Sequence, residues 1–223
     1  MRAELVESLM PRVLALAVGA LLGDAFLHLL PEVYKTAPAL QTGLLVMAGT
    51  LVFFVIEKWM GDHAETHPPE GSIAPLGPMS IIANSIHNFV DGMLIAGAFV
   101  ADRGLGVATF VAVALHEIPH EASNFAILLH AGYSRTRAVL VNFGVGVVAM
   151  LGAVFALLIG TRLSSFPSYL LPFTAGCFVY LACSDLMPTL LRRGGIRALW
   201  SHFLMMVIGM GLMVALLRLE GHS

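Results

Sequence analysis

Seven stretches of apolar residues alternate with short polar connections, and this alternation is the most regular pattern in the chain. The stretches cover residues 11–30, 41–60, 78–101, 105–130, 137–160, 168–191 and 197–218, to within a few residues. Each is close to the roughly 20 residues that an α-helix needs to cross a bilayer. We therefore predict an all-α fold, a polytopic bundle of seven transmembrane helices that forms one domain over residues 1–223.

The composition agrees with this prediction. Hydrophobic residues make up 58% of the chain and charged residues only 12%, whereas soluble domains carry about 25% charged residues. The expected surroundings are therefore the lipid bilayer. The formal net charge of −2 gives no reason to expect a nucleic-acid partner.

The longest polar connection, GDHAETHPPEGSIAP, is rich in Pro, Gly and His, and we predict a loop over residues 61–77. If the N-terminus is cytoplasmic, the cytoplasmic ends and loops hold 8 of the 12 Lys and Arg residues and the opposite side holds 4. Such an excess marks the cytoplasmic side. We therefore expect a cytoplasmic N-terminus, an outside C-terminus and a cytoplasmic, His-containing 61–77 loop.

Polar side chains interrupt the third and fourth apolar stretches in a helical pattern. His87 and Asp91 are four residues apart, as are His116 and His120, so each pair shares a helix face. Such side chains are costly in a membrane and normally face the protein interior. Imidazoles and carboxylates that converge from two helices suit a divalent ion such as zinc. The candidate ligands are His87, Asn88, Asp91, His116, Glu117, His120 and Glu121.

This set exceeds the four ligands of one tetrahedral site, so two interpretations stay open. Either two metal positions are adjacent, or some members orient the ligands. Asp24 and His28 in the first stretch also share a face, as an internal pair or as part of an ion path. Asn142 could join helices or line the site. We further predict close helix packing at six glycines, which are Gly19, Gly23, Gly144, Gly146, Gly209 and Gly211.

Two functions use such residues within a membrane. An intramembrane zinc protease would use His116, Glu117 and His120 as an H-E-x-x-H motif, with an aspartate from another helix. A metal-ion transporter would need several exchangeable ligands near the midplane, on helices that can open to either side. The large ligand set fits a transporter better than one catalytic zinc with an open position for water, so we expect a protein that is not an enzyme.

The motifs resemble those of the ZIP (Zrt/Irt-like) metal transporters. HNFVDG at 87–92, followed one helix later by HEIPHE at 116–121, matches the branch with the His-Glu-x-Pro-His-Glu signature. LLGDAFLHLLPE and LPFTAGCFVYLACSDLMP resemble two further helices of that family. The resemblance implies eight helices, so the family's first helix has no counterpart among the seven stretches here.

The resemblance also implies a binuclear centre between the helices that carry the two motifs. One site would use His87, Asp91, His116 and His120. The adjacent site would use Asn88, Glu117 and a shared His120, with Asn142 as a further candidate, and Glu121 belongs to the signature. In this chain Asn124 stands where family members are expected to have aspartate.

The function that the resemblance implies is zinc uptake into the cytoplasm by alternating access. Fe²⁺, Mn²⁺, Cd²⁺ and Co²⁺ are the alternative ions. Relatives suggest a homodimer. The compact chain suggests a multi-pass protein of a bacterial inner membrane.

Overall fold

The structure is a computed structural model that describes the backbone of residues 2–35, 37–65, 76–160, 162–163, 165–192 and 196–220. These residues form seven long helical rods, as predicted. Five are single helices: α2 (Ala39–Glu65), α3 (Leu76–Ala101), α4 (Arg103–His130), α5 (Arg135–Gly160) and α7 (Ile196–Glu220). The other two, α1 and α6, contain one wide π-helical turn each. Rod α1 comprises Arg2–Gly23, Asp24–Leu29 and Leu30–Tyr34, and rod α6 comprises Phe166–Tyr180, Leu181–Leu186 and Met187–Arg192.

The helices are longer than the apolar stretches that predicted them. Helix α2 continues to Glu65 and α3 begins at Leu76, so the predicted 61–77 loop is helical at both ends. Its middle, residues 66–75, lies outside the described part of the chain. The reason for the difference is that a helix can extend beyond the apolar part of its sequence.

Five described helices are long and apolar enough to cross a membrane, namely α1, α2, α5, α6 and α7. The other two, α3 and α4, have 26 and 28 residues. At 1.5 Å per residue each is about 40 Å long, which exceeds the roughly 30 Å of a hydrocarbon core. They differ from the five in carrying the polar side chains predicted to bind metal.

The seven helices form an inner and an outer group. In α1 and α6, 67% and 65% of the apolar span is buried, against 17% in α2, 17% in α5 and 11% in α7. The inner group consists of α1, α3, α4 and α6. Three inner helices pack most extensively against one outer helix each, as the pairs α1–α7, α3–α5 and α2–α6. The fourth, α4, packs mainly between α1 and α3.

Each of these three pairs is sealed by two glycines, one from each helix. A Cβ atom added to either glycine would overlap a backbone carbonyl oxygen of the partner helix, so the two backbones are in direct contact. Small residues allow such close approach between membrane helices. The glycines are Gly19 and Gly209 in α1–α7, Gly92 and Gly152 in α3–α5, and Gly49 and Gly176 in α2–α6.

The two helices of each pair run in the same direction. In α1–α7, Gly19 contacts Met206, and Gly23, one turn later, contacts Met213. In α3–α5, Gly152 meets Phe89, and Gly160, two turns later, meets Val100.

Close packing was predicted at six glycines, and the prediction is confirmed for Gly19, Gly23 and Gly209. It is wrong for Gly144, Gly146 and Gly211, which have open space where a side chain would stand. These three face away from the other described helices.

Candidate metal centre

Helix α3 contributes three buried polar side chains from one face. His87 and Asp91 are one helical turn apart and Asn88 adjoins them, with exposed fractions of 5%, 3% and 5%. The ring of Phe53 from α2 packs edge-on against the His87 ring, with 6.0 Å between the ring centres. The outer helix α2 thus covers this side of the polar cluster with an aromatic side chain.

Helix α4 supplies the opposite wall and runs antiparallel to α3. Asn88 donates a 3.1 Å hydrogen bond from Nδ2 to Glu117 Oε1. One turn earlier on α3 and one turn later on α4, Asn84 donates a 2.8 Å bond from Nδ2 to Glu121 Oε1. This register brings the HNFVDG and HEIPHE motifs face to face, as their spacing predicted.

Four side chains offer one ligand atom each to a common point. The atoms come from His87, Asp91, His116 and Glu117 and lie within 4.8 Å of one another. His116 Nε2 is 3.3 Å from His87 Nε2 and 3.3 Å from Asp91 Oδ2. Glu117 Oε2 is 3.7 Å from both imidazole nitrogens, and His87 Nε2 is 3.6 Å from Asp91 Oδ2. Zinc bonds of 2.0–2.2 Å in a tetrahedron place ligand atoms about 3.3–3.6 Å apart, so these five distances of 3.3–3.7 Å are close to those of a zinc site.

The charges in this cluster favour a divalent cation. Both oxygens of Asp91 and the Oε2 atom of Glu117 are buried and accept no hydrogen bond from the described residues. A carboxylate oxygen buried in that way is costly. One divalent cation between Asp91 and Glu117 would match their two negative charges and replace the absent donors.

The remaining predicted ligands lie directly beside these four. The ring of His120 stacks on the His87 ring with 4.5 Å between centres and 24° between planes, and its Nδ1 is 3.8 Å from Glu117 Oε1. Glu121 lies on the Asn84 and Asn88 side of Glu117, and its Oε2 atom is buried without a hydrogen bond from the described residues. The structure therefore brings all seven predicted residues into one cluster, with Glu117 at its centre. Its four-atom group contains Glu117 where the resemblance implied His120.

Two other predicted groups lie outside this cluster. Asp24, in the π-helical turn of α1, accepts a 2.9 Å hydrogen bond at Oδ2 from the hydroxyl of Thr109 on α4. Its Oδ1 is 3.5 Å from His28 Nδ1. Asp24 and His28 are both buried, and the Thr109 bond shows that Asp24 also joins α1 to α4.

Asn142 joins α5 to α4 just beyond the HEIPHE motif. Its Nδ2 donates to the backbone oxygen of Glu121 at 3.1 Å, and its Oδ1 accepts from Asn124 Nδ2 at 2.8 Å. Both polar atoms of Asn142 are therefore engaged in bonds between helices, in keeping with the alternative that it joins helices.

Sequence reasoning missed Asn84, which is 3% exposed and hydrogen-bonded to Glu121. The signal that could have found it is its position four residues before Asn88, on the same face of a helix in an apolar stretch.

Comparison with known proteins identifies the same family that the motifs resemble. The family described as "ZIP Zinc transporter" matches residues 61–217. The chain is 37% identical over 196 residues to "Zinc transporter ZIP13" of Pongo abelii, covering 81% of this chain and 58% of that protein. It is 30% identical over 275 residues to "Zinc transporter ZIP13 homolog" of Drosophila melanogaster, covering 94% and 78%. It is 28% identical over 303 residues to "Zinc transporter SLC39A7" of Mus musculus, covering 96% and 64%.

These comparisons decide between some of the sequence-based predictions. The relatives are named transporters, so the expectation of a protein that is not an enzyme is confirmed and the protease alternative is not supported. A multi-pass membrane protein is supported as well. The predicted bacterial inner membrane is not, because these relatives come from animals.

Proposed function

The chain belongs to the ZIP family of zinc transporters, and from that premise we propose that it carries zinc ions across a membrane. The observation that carries the proposal is the buried group of two imidazoles and two carboxylates, held between antiparallel helices at zinc-like spacing. The site lies between α3 and α4, in the inner group of helices.

The residues divide into two neighbouring positions. His87, Asp91, His116 and Glu117 hold the first ion. Glu117 and Glu121 provide oxygen atoms for a second position beside it, so that Glu117 serves both. Asn88 donates from Nδ2 to both carboxylates, and His120 lies next to them against His87. Adjacent, partly shared sites allow an ion to leave without losing all ligands at once, which transport requires.

The direction of transport is uptake into the cytoplasm. The excess of Lys and Arg on the predicted cytoplasmic side supports the orientation of the chain, and the family resemblance supports the direction. Alternating access is the proposed cycle. Three helix pairs sealed by glycines can move as units, while α4 is held between α1 and α3 without such a seal. The homodimer remains a prediction.

Zinc is the expected cargo because two of the four ligand atoms are imidazole nitrogens. Fe²⁺, Mn²⁺, Cd²⁺ and Co²⁺ are the alternatives. Competition of each ion with the uptake of labelled zinc measures their relative preference. Excess Mn²⁺ should compete least, because manganese prefers oxygen ligands.

Uptake of radiolabelled zinc into proteoliposomes tests the proposal. Wild-type protein should accumulate zinc, and His87→Ala and His116→Ala should abolish accumulation. His202→Ala, a histidine on α7 outside the cluster, is the matched control and should retain it. Zinc binding without flux in the wild-type protein would refute transport. Vesicles sorted by the accessibility of an N-terminal tag test the direction.

A further inference from the structure

We propose that Asn84 is a positioning residue at the site of the transported ion. Its side chain orients the amide of Asn88 and holds the carboxylate of Glu121. The inference rests on the proposed function, since it deepens the account of that same site. Asn84 lies beside the seven residues that the motifs identify, one turn before Asn88 on α3.

The amide nitrogen of Asn88 is surrounded by acceptors. Its Nδ2 lies 3.1 Å from the backbone oxygen of Asn84 and 3.3 Å from Asn84 Oδ1. It also lies 3.1 Å from Glu117 Oε1 and 3.5 Å from Glu121 Oε1. If the Asn88 amide were flipped, its oxygen would face four other oxygens, so the orientation is fixed. An amide nitrogen cannot ligate a cation but its oxygen can, and this arrangement keeps Asn88 Oδ1 away from the four acceptors.

The amide of Asn84 is fixed by the same neighbours. Its Nδ2 donates 2.8 Å to Glu121 Oε1 while its Oδ1 accepts from Asn88. A flip would set the Asn84 oxygen against a carboxylate and its nitrogen against another NH₂ group. The two asparagines therefore hold each other in one arrangement. Both are uncharged, so α3 orients these side chains without adding charge to the site.

The bond from Asn84 to Glu121, at 2.8 Å, is shorter than the 3.1 Å bond from Asn88 to Glu117. Among the described residues, the other donor to the Glu121 carboxylate is Asn88 at 3.5 Å, which is at the limit of a hydrogen bond. Asn84 thus determines where this carboxylate lies, and its second oxygen remains for an ion. Without the Asn84 side chain, Glu121 would lose its 2.8 Å hydrogen bond and the amide of Asn88 would lose one of its four acceptors.

Exchange of the donor and acceptor tests this inference. Asn84→Asp keeps the shape but turns the donor into a carboxylate that faces Glu121, and it should raise the KM for zinc uptake about tenfold. In the double variant with Glu121→Gln, the glutamine donates to the new aspartate. Its KM should return to within about threefold of Glu121→Gln alone. Ser85→Ala is the control, because the Ser85 hydroxyl donates to Ile81 O of its own helix and to no other described residue.

A merely structural role would lower the amount of active protein and so reduce the maximal rate at constant KM. That result, or an unchanged KM in Asn84→Asp, would overturn the inference. If Glu121→Gln stops transport, the Kd for zinc is measured in detergent for the wild type, the two single variants and the double variant. Additive changes in binding free energy would then overturn the inference. Failure of wild-type uptake is a separate result, because it refutes the proposed function while the Kd cycle still tests Asn84.

Discussion

Replacing Gly152 with alanine tests whether backbone contact between α3 and α5 holds the part of α3 that carries the candidate ligands in place. The new Cβ would overlap the carbonyl oxygen of Phe89, which lies between His87 and Asp91 in sequence. Carbon and carbonyl oxygen approach no closer than about 3.3 Å, so the two helices must separate. The variant therefore changes both the stability of the pair and the position of the ligands on α3.

The expected magnitude follows from two opposing effects. Overpacking costs about 1–3 kcal/mol, and the upper end applies because the overlapping atom is backbone and cannot rotate away. Alanine returns at most about 1 kcal/mol in helix propensity over glycine. We expect Gly152→Ala to be destabilised by about 2 kcal/mol.

Two glycines on the same helix provide the control. Gly144 and Gly146 have open space around the position of a Cβ, so Gly144→Ala and Gly146→Ala should be neutral or slightly stabilised. Thermal unfolding in detergent compares all three variants, and zinc uptake reads the effect on the site. Equal stability and uptake in Gly152→Ala and Gly144→Ala would refute the reasoning.

Three other predictions concern the polar groups. Asp91→Asn should raise the Kd for zinc at least about tenfold by calorimetry, because it removes one of the two compensating charges; an unchanged Kd would contradict the proposed ligand. Thr109→Val should lower stability by about 1.5–3 kcal/mol, because it removes the hydroxyl donor to Asp24, and Thr109→Ser should lose less; equal losses would argue against the bond. Lowering the pH from about 7 to about 5 should weaken zinc binding, since ligating imidazoles must be unprotonated; tighter binding in acid would show that other groups control affinity.

The candidate ligands could be predicted from the sequence because helical spacing places them on one face of each helix. Four-residue intervals place His87 with Asp91 and His116 with His120, and membrane burial demands that such groups meet. Asn84 escaped because a single asparagine in an apolar stretch has many structural uses. Its role depends on the register between α3 and α4, which spacing within one helix does not determine.

The pairing of the helices could not be read from the sequence in the same way. Gly146 and Gly152 stand in similar apolar surroundings on α5, yet only Gly152 meets another backbone. Which face of a helix is covered depends on partners far away in the chain. The π-helical turn at Asp24–Leu29 is likewise absent from the apolar pattern, because one extra residue per turn hardly changes hydropathy.

The three sealed pairs are nested, and this order has a consequence for synthesis. The α3–α5 pair encloses one helix, α2–α6 encloses three and α1–α7 encloses five. Closing a longer loop costs more chain entropy, and the N-terminal helices emerge first from the ribosome. The backbone at Gly19 of α1 is therefore covered only after α7 has been made. A chain that ended before Ile196 would lack the helix that covers Gly19, so the packing of α1 is completed only by the last helix of the chain.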